Sequence, residues 1–164
     1  MIQQRLDYSD PQCSKVGMTP TRDFTATTFV VRECETLLLW HRKVGAWLPP
    51  GGHIHADELP DDAAVREVLE ETGLRVELEG GRDRWGEVAV LNQPVCVLLE
   101  DIEPGHQHID LIYFARSMEG TPMINERESS AFRWYSHDDL EGREIAPDIR
   151  ILGQRAIAEI GAGD

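Results

Sequence analysis

The sequence predicts an α/β (α+β) fold in which helices cover a mixed β-sheet. Three observations favour this class: several short runs of β-branched and aromatic residues, one helical segment that interrupts them, and a second that follows them. Hydrophobic residues make up 41% of the 164 positions, and no repeat or internal linker divides the chain. We therefore expect one domain over residues 1–164, which starts with a polar segment over residues 1–20.

Two strands open the predicted sheet. Phe24 to Arg32 is rich in β-branched and aromatic residues, and Thr36 to Arg42 follows it after a short polar turn. The stretch from Leu48 to His53 is dense in proline and glycine and continues neither strand. The later strand candidates are Arg75 to Leu78, Trp85 to Leu91, Pro94 to Asp101, His108 to Arg116 and Phe132 to Tyr135. Three of their aromatic residues alternate with apolar neighbours and are expected in the core: Trp85, Tyr113 and Trp134.

Two helices complete the predicted elements. Pro60 to Thr72 begins with proline, whose missing N–H has no partner in a first turn anyway, and Gly73 supplies a natural end. Pro147 to Ile160 carries apolar residues at the spacing of one buried helical face. Between the two, Ser136 and Asp139 have the spacing of a capping box and predict a further helix start.

The first helix carries three carboxylates on one side. At about 100° per residue, Glu67, Glu70 and Glu71 fall within an arc of roughly 100°. Such hard oxygen ligands suit Mg²⁺ or Mn²⁺, although an acidic stripe on its own is more often a solvated helix face. The opposite side is predicted to face the core and consists of Val65, Val68, Leu69 and Thr72.

A longer pattern surrounds these carboxylates. Gly52, Glu58 and the run Arg66 to Leu74 match G-x5-E-x7-R-E-U-x-E-E-x-G-U at every fixed position, where U is an aliphatic residue. With average residue usage, such a match in a chain of this length is expected on the order of once in a million. The sequence therefore resembles the Nudix hydrolase family, with the box covering 23 of its 164 residues. The stretches Trp47 to Gly52 and Glu128 to Trp134 are similar to the family as well.

The resemblance implies an α/β/α sandwich and a metal-dependent hydrolase. Its substrates would be nucleoside diphosphate-linked compounds or nucleoside triphosphates, cleaved at a diphosphate linkage. The implied cofactor is Mg²⁺, with Mn²⁺ as an alternative. By the same resemblance Glu70 and Glu71 would be the principal metal ligands, and Glu67 a further ligand or the base that activates water. The backbone carbonyl of Gly51 would join the metal ligands.

The resemblance also implies roles for the other fixed residues. Arg66, counted with the catalytic residues, and Glu58 would orient the carboxylates and hold the loop to the helix. Gly52 and Gly73 would serve the backbone, at the sharp turn and at the helix end.

Two residues outside the box are candidates for substrate binding. Trp47 could stack on a base or ribose, although a tryptophan beside a loop more often packs in the core. Glu128 is eligible as a substrate-site residue, as a late metal ligand or, beside Glu67, as the general base, and an ordinary surface acid is the alternative. His55 and Asp57 stand where many members carry glutamate and glycine, but neither is a fixed position.

The formal net charge of −14 bears on the binding partners. Sequence-independent binding to long nucleic acid needs a basic surface, so we expect a small nucleotide-like substrate instead. Bound divalent cations would relieve the repulsion between so acidic a chain and a phosphate. His106 and His108 lie at the entrance of a predicted strand, where histidines are more often exposed or structural than ligands.

Three cysteines are scattered and form neither a metal cluster nor a disulfide framework: Cys13, Cys34 and Cys96. With no long apolar run, this pattern favours a cytoplasmic protein away from membranes, and a homodimer is compatible with the sequence. Two other functions stay open. One is a catalytically silent nucleotide-binding or regulatory module on the same fold. The other is an isomerase of isoprenoid diphosphates, which would want a catalytic cysteine near the box.

Overall fold

The computed structural model describes residues 19–118 and 120–161, so most of the polar segment predicted over residues 1–20 lies outside the described part. The strands are β1 Thr21–Arg32, β2 Glu35–His41, β3 Ala46–Leu48, β4 Gly51–His53, β5 Val76–Leu78, β6 Asp83–Trp85, β7 Val88–Val90, β8 Cys96–Glu103, β9 His106–Ser117 and β10 Ser129–Ser136. The helices are α1 Pro60–Thr72 and α2 Pro147–Ile160, with a short 3-10 helix at Asp139–Glu141.

The main sheet is mixed, as predicted. Its strand order is β10-β2-β1-β9-β5, with β3 paired to β2, β4 to β1 and β8 to β9. The long strands β1 and β9 run parallel over eleven pairs from Thr21–His106 to Val31–Arg116. The other pairs in this sheet are antiparallel. The parallel strands β1 and β9 therefore lie at the centre of the sheet, and the antiparallel strands pair on either side of them.

The two helices pack on opposite faces of this sheet. Because side chains alternate along a strand, Phe29 and Val31 of β1 pack in one cluster with the apolar side of α2. Ala26 and Val30 point the other way, into clusters with residues of α1. The fold is thus an α/β/α sandwich, which confirms the predicted class.

The predicted bounds of both helices are confirmed, but the predicted inner face of α1 is wrong in one residue. Leu69 is 48% exposed, whereas Glu71 is only 8% exposed. The buried stripe runs through Ala64, Val68 and Glu71, spaced four and three residues apart. Helical periodicity fixes the width of such a stripe, but packing against the sheet decides its exact position on the helix.

The predicted core position of Trp85 is also wrong. Its side chain is 69% exposed, since β6 and β7 form a separate two-stranded hairpin instead of joining the main sheet. Tyr113 is buried as predicted. Trp134 is half-buried, and the guanidinium of Arg32 lies 4.2 Å from the centre of its ring.

The predicted capping box forms, but it opens only the 3-10 helix. The backbone N–H of Asp139 donates to Oγ of Ser136 at 3.2 Å, and the N–H of Ser136 donates to Oδ2 of Asp139 at 3.2 Å. Among the described residues, no helix is long and apolar enough to span a bilayer.

Candidate active site

The candidate site lies where β1 and β2 diverge. The two strands pair beside their turn, at Val31–Thr36 and Arg32–Glu35. Beyond that point β2 pairs with β3, while β1 pairs with β4. The proline- and glycine-rich stretch thus forms two three-residue strands, with Pro49 and Pro50 between them, where no ladder N–H is needed.

Two glycines let β4 lie close to its neighbours. A Cβ on Gly51 would come within 2.7 Å of the carbonyl oxygen of Ala26 and 2.8 Å of the Cα of Thr27. A Cβ on Gly52 would lie 2.6 Å from Oε1 of Glu67. Gly51 is therefore packed against backbone, whereas the bare Cα of Gly52 leaves room for a carboxylate from α1.

The three helix carboxylates differ in their surroundings. Glu71 is buried, the side chain of Glu67 is 13% exposed, and that of Glu70 is 59% exposed. Nη1 of Arg66 lies 2.7 Å from Oε1 of Glu67 and 3.3 Å from Oε2 of Glu70. The arginine therefore holds two of the carboxylates at the edge of the cleft, while Glu71 lies deeper.

Arg66 also ties the helix to the preceding loop. Its Nε and Nη2 donate to the two oxygens of Glu58 at 2.7 and 2.8 Å, and Nη2 donates to the carbonyl of His53 at 3.0 Å. These hydrogen bonds hold the pKa of Glu58 at about 2, below its ordinary 4.5. Loop and helix are thus joined by a charged, two-point contact between Arg66 and Glu58, the two residues that were expected to hold the loop to the helix.

The segment that follows β9 brings Glu128 to the end of α1. The backbone N–H groups of Met123 and Asn125 donate to the carbonyls of Thr72 and Glu71 at 2.7 and 3.0 Å, which satisfies carbonyls that a helix end leaves free. Glu128 then lies against the carboxylate of Glu71. Burial, followed by the charges of Glu128 and Glu67, raises the pKa of Glu71 well above its usual range.

These residues surround an open cleft of about 510 Å³. Its lining includes one arginine, Arg66, and six acidic side chains: Glu67, Glu70, Glu71, Glu100, Asp110 and Glu128. Carboxylates so close together repel one another unless protons or cations compensate them. Hard oxygen donors in this number fit a divalent cation of the Mg²⁺ type.

Two of the acids were not singled out from the sequence. Glu100 of β8 and Asp110 of β9 both point into the cleft from neighbouring strands. Burial and the charges of Asp110 and Asp148 raise the pKa of Glu100 to about 7. Burial also raises the pKa of Asp110, although it accepts a hydrogen bond from Oγ1 of Thr25 at 2.9 Å. The sequence signal that could have identified them is an acidic residue at an inward-facing position of an otherwise apolar strand.

Trp47 and the described cysteines lie away from the cleft. The ring of Trp47 packs edge-on against Trp40 and Tyr135, with centroid distances of 5.4 and 5.5 Å. Its contact with substrate stays a prediction. Cys34 is exposed at the β1–β2 turn, and Cys96 packs against the core beneath α2. Neither cysteine lines the cleft, while Cys13 lies outside the described residues.

Fold and site together define an α/β/α protein with an acid-lined cleft beside a glycine-rich loop. A sequence model of the NUDIX domain matches residues 22–154, and the chain belongs to the Nudix family. The family comprises hydrolases of pyrophosphate bonds in nucleotide-linked compounds, and its members generally depend on divalent metal ions.

Individual relatives agree with this assignment. The chain is 30% identical over 118 residues to the m7GpppN-mRNA hydrolase NUDT17 of Bos taurus, covering 68% of this chain and 37% of the relative. It is 41% identical over 80 residues to diphosphoinositol polyphosphate phosphohydrolase 3-alpha of Mus musculus, covering 44% and 49%. The matched segments thus span less than half of either relative.

A solved structure agrees over a longer stretch. The crystal structure of a hydrolase of the NUDIX family from Clostridium perfringens aligns with a TM-score of 0.75 and 32% identity. The alignment covers 85% of this chain and 99% of that one.

Proposed function

We propose that this chain is a metal-dependent hydrolase that cleaves diphosphate linkages in nucleoside diphosphate-linked compounds or nucleoside triphosphates. The observation that most supports this proposal is the gathering of four glutamates around one cleft beside a glycine-rich loop: Glu67, Glu70, Glu71 and Glu128. An anionic substrate would enter such a cleft only with cations, which makes metal and substrate binding interdependent.

The metal proposed is Mg²⁺, with Mn²⁺ as an alternative, because both prefer carboxylates, carbonyls and phosphate oxygens. Glu70 and Glu71 would hold it, with Glu67 and the carbonyl of Gly51 as further ligands. When bound, such an ion neutralises charge on the diphosphate and lowers the pKa of a bound water. Arg66 and Glu58 act as positioning residues, because their hydrogen bonds fix the loop relative to α1.

Two carboxylates, those of Glu67 and Glu128, are candidates for the general base. Glu67 accepts a hydrogen bond from Arg66 on one side of the cleft, whereas Glu128 lies beside Glu71 on another. Either would take the proton of the attacking water as the bond between phosphorus and the leaving phosphate oxygen breaks.

A smaller cavity adjoins the cleft and suits the nucleoside part of a substrate. It has a volume of about 200 Å³ and shares Gly51 and Glu71 with the cleft. Its walls combine apolar side chains from both sheet and helix with polar groups: Phe29, Leu39, Leu98, Ile149, His41 and Asp148. Apolar walls with few polar groups are typical of small-molecule sites.

The test is an assay of purified protein against nucleoside diphosphate derivatives, dinucleoside polyphosphates and oxidised or normal nucleoside triphosphates. Each compound is incubated with Mg²⁺, with Mn²⁺ or with EDTA, and products are identified by chromatography. We expect one class to be cleaved at a diphosphate linkage, and EDTA to abolish the reaction. Binding of metal and nucleotide without turnover would instead favour the catalytically silent module.

A further inference from the structure

A second group of ligand-type side chains lies at the entrance of β1 and β9. Asp23 of β1 is opposite His108 of β9, and His106 lies two residues before His108, so that all three point to the same face of the sheet. Their ligand atoms all lie within 4.8 Å of one another. His53 of β4 joins them, with its ring centre 5.0 Å from that of His108. The prediction that His106 and His108 are merely exposed or structural does not account for this convergence.

The distances in this cluster differ from those of hydrogen bonds. Nε2 of His53 and Nε2 of His106 lie 3.5 and 3.6 Å from the same oxygen, Oδ2 of Asp23. An N–H···O hydrogen bond is usually about 2.7–3.2 Å long. Two ligands of a tetrahedral zinc ion, each about 2.1 Å from the metal, lie roughly 3.4 Å apart. The spacing therefore matches two atoms that share a metal better than two atoms that share a proton.

Thr21 orients one of the rings. Its Oγ1 donates to the carbonyl of Gly105 at 3.3 Å, so that Oγ1 must accept a hydrogen bond from Nδ1 of His106, which lies 2.9 Å away. Nδ1 then carries the proton, and in the neutral ring Nε2 presents its lone pair towards Asp23. A second hydrogen bond of this kind fixes the tautomer of metal-binding histidines.

We propose that Asp23, His106 and His108, joined by His53, form a binding site for a divalent transition-metal ion of the zinc type. Two or three imidazoles and one carboxylate form a ligand set that zinc accepts, whereas Mg²⁺ prefers oxygen ligands alone. The site differs in chemistry from the glutamates of α1. The side chains of Asp23 and His53 are 52% and 58% exposed, which leaves a path for the ion.

The position of this site links it to the acid-lined cleft. His53 follows the glycine pair directly, and both His53 and His108 line the cleft. An ion held there would join three strands, β1, β4 and β9, and place positive charge at the rim where an anionic substrate enters. The inference does not depend on the hydrolase proposal, because the ion would bind whether or not turnover occurs.

The experiment is calorimetric titration of the full chain with Zn²⁺, supported by the visible spectrum of Co²⁺, whose absorption is strong in tetrahedral sites. We compare wild type with the double variant His106→Gln/His108→Gln. His137→Gln is the matched control, because His137 also lies 3.6 Å from an aspartate, Asp138, but outside the cluster. Glu70→Gln identifies zinc that binds the helix carboxylates instead.

We expect one tight Zn²⁺ site per chain in wild type, in His137→Gln and in Glu70→Gln, and its loss in the double variant. Thr21→Val should fold normally, since Thr21 is exposed, and should weaken zinc binding about tenfold by freeing the ring of His106. Equal zinc affinity in wild type and the double variant would overturn the proposal. So would an absence of zinc binding in wild type, or zinc binding that disappears in Glu70→Gln alone.

Discussion

Nε of Arg66 lies 2.7 Å from Oε1 of Glu58, and Nη2 of the same guanidinium lies 2.8 Å from Oε2. This two-point contact bridges eight residues of sequence and joins the glycine-rich loop to the helix that carries the carboxylates. A planar guanidinium matches a carboxylate in this way, and an ammonium group does not. The geometry of the cleft therefore depends on a pair that need not touch the substrate.

Arg66→Lys should lower both stability and activity. A lysine keeps the charge but cannot reach Glu58 at two points while also contacting Glu67, so we expect a loss of about 2 kcal/mol in the free energy of unfolding. Activity should fall by about 10- to 100-fold. Urea unfolding and steady-state kinetics measure the two effects. An arginine-to-lysine variant with unchanged kcat would show that this contact does not position the site.

The same pair predicts a pH dependence of stability. The folded-state pKa of Glu58 is about 2, below the ordinary 4.5, so its contribution is present above pH 4.5 and is lost as the pH falls towards 2. Glu58→Gln should therefore remove part of the decline in unfolding free energy between pH 5 and pH 3. Urea titrations of both proteins at these two pH values provide the measurement, and parallel declines would contradict the assignment.

The two glycines of β4 should respond differently to alanine. In Gly51→Ala the new methyl group would meet backbone atoms of β1, which cannot easily move, so we expect a loss of about 1–3 kcal/mol in stability. In Gly52→Ala it would meet the end of the flexible Glu67 side chain, which can move aside. Gly52→Ala should thus keep its melting temperature near that of wild type but lose activity. Full activity in Gly52→Ala would show that the reaction does not depend on the position of the Glu67 carboxylate.

The box residues could be predicted because they are close in sequence. Gly52, Glu67 and Glu71 lie within one loop and one helix, and the helix is bounded by Pro60 and Gly73, whose effects are local. Helical geometry alone places the three carboxylates on one side. For this reason the bounds of α1 agree with the sequence pattern.

The features that the sequence pattern did not predict depend on tertiary packing. Glu100 and Asp110 meet the box only because β8 pairs with β9, and no local rule states which strands pair. Val68 lies between Leu69 and Glu71 around the helix, and packing against the sheet centres the buried side between Val68 and Glu71, which leaves Leu69 exposed. Trp85 lies in strand-forming sequence, but its short strand pairs with β7 away from the core.

Glu71 should make the metal-free protein less stable as the pH rises. Its pKa is raised in the folded state, so the unfolded chain loses its proton first and stability falls as the pH rises above about 4.5, the ordinary value. We expect Glu71→Gln to reduce this fall between pH 5 and pH 8 in EDTA. Urea unfolding measures it. If the unfolding free energy of Glu71→Gln falls as steeply with pH as that of wild type, the carboxylate of Glu71 is not the group that titrates.

Glu100 should affect substrate binding near neutral pH. Its pKa of about 7 means that it gains a negative charge as the pH passes through neutrality, in a cleft that must accept an anion. KM of wild type should therefore rise from pH 6 to pH 8, and Glu100→Gln should show a weaker rise. Glu103→Gln, an exposed position on the same strand, serves as control. An identical dependence of KM on pH in Glu100→Gln and wild type would show that the charge of Glu100 does not affect substrate binding.

The kcat of Glu70→Gln with Mg²⁺, on the substrate that wild type cleaves best, tests most directly whether Glu70 binds the metal ion of the reaction. Glu159→Gln is a matched control, because Glu159 pairs with Arg155 four residues away at 2.6 Å on α2, much as Glu70 pairs with Arg66 on α1. We predict that Glu70→Gln loses on the order of 100-fold or more in kcat, since the change removes a proposed metal ligand. Glu159→Gln should keep the wild-type rate. Equal rates in Glu70→Gln and Glu159→Gln would contradict a role of Glu70 in binding the metal ion.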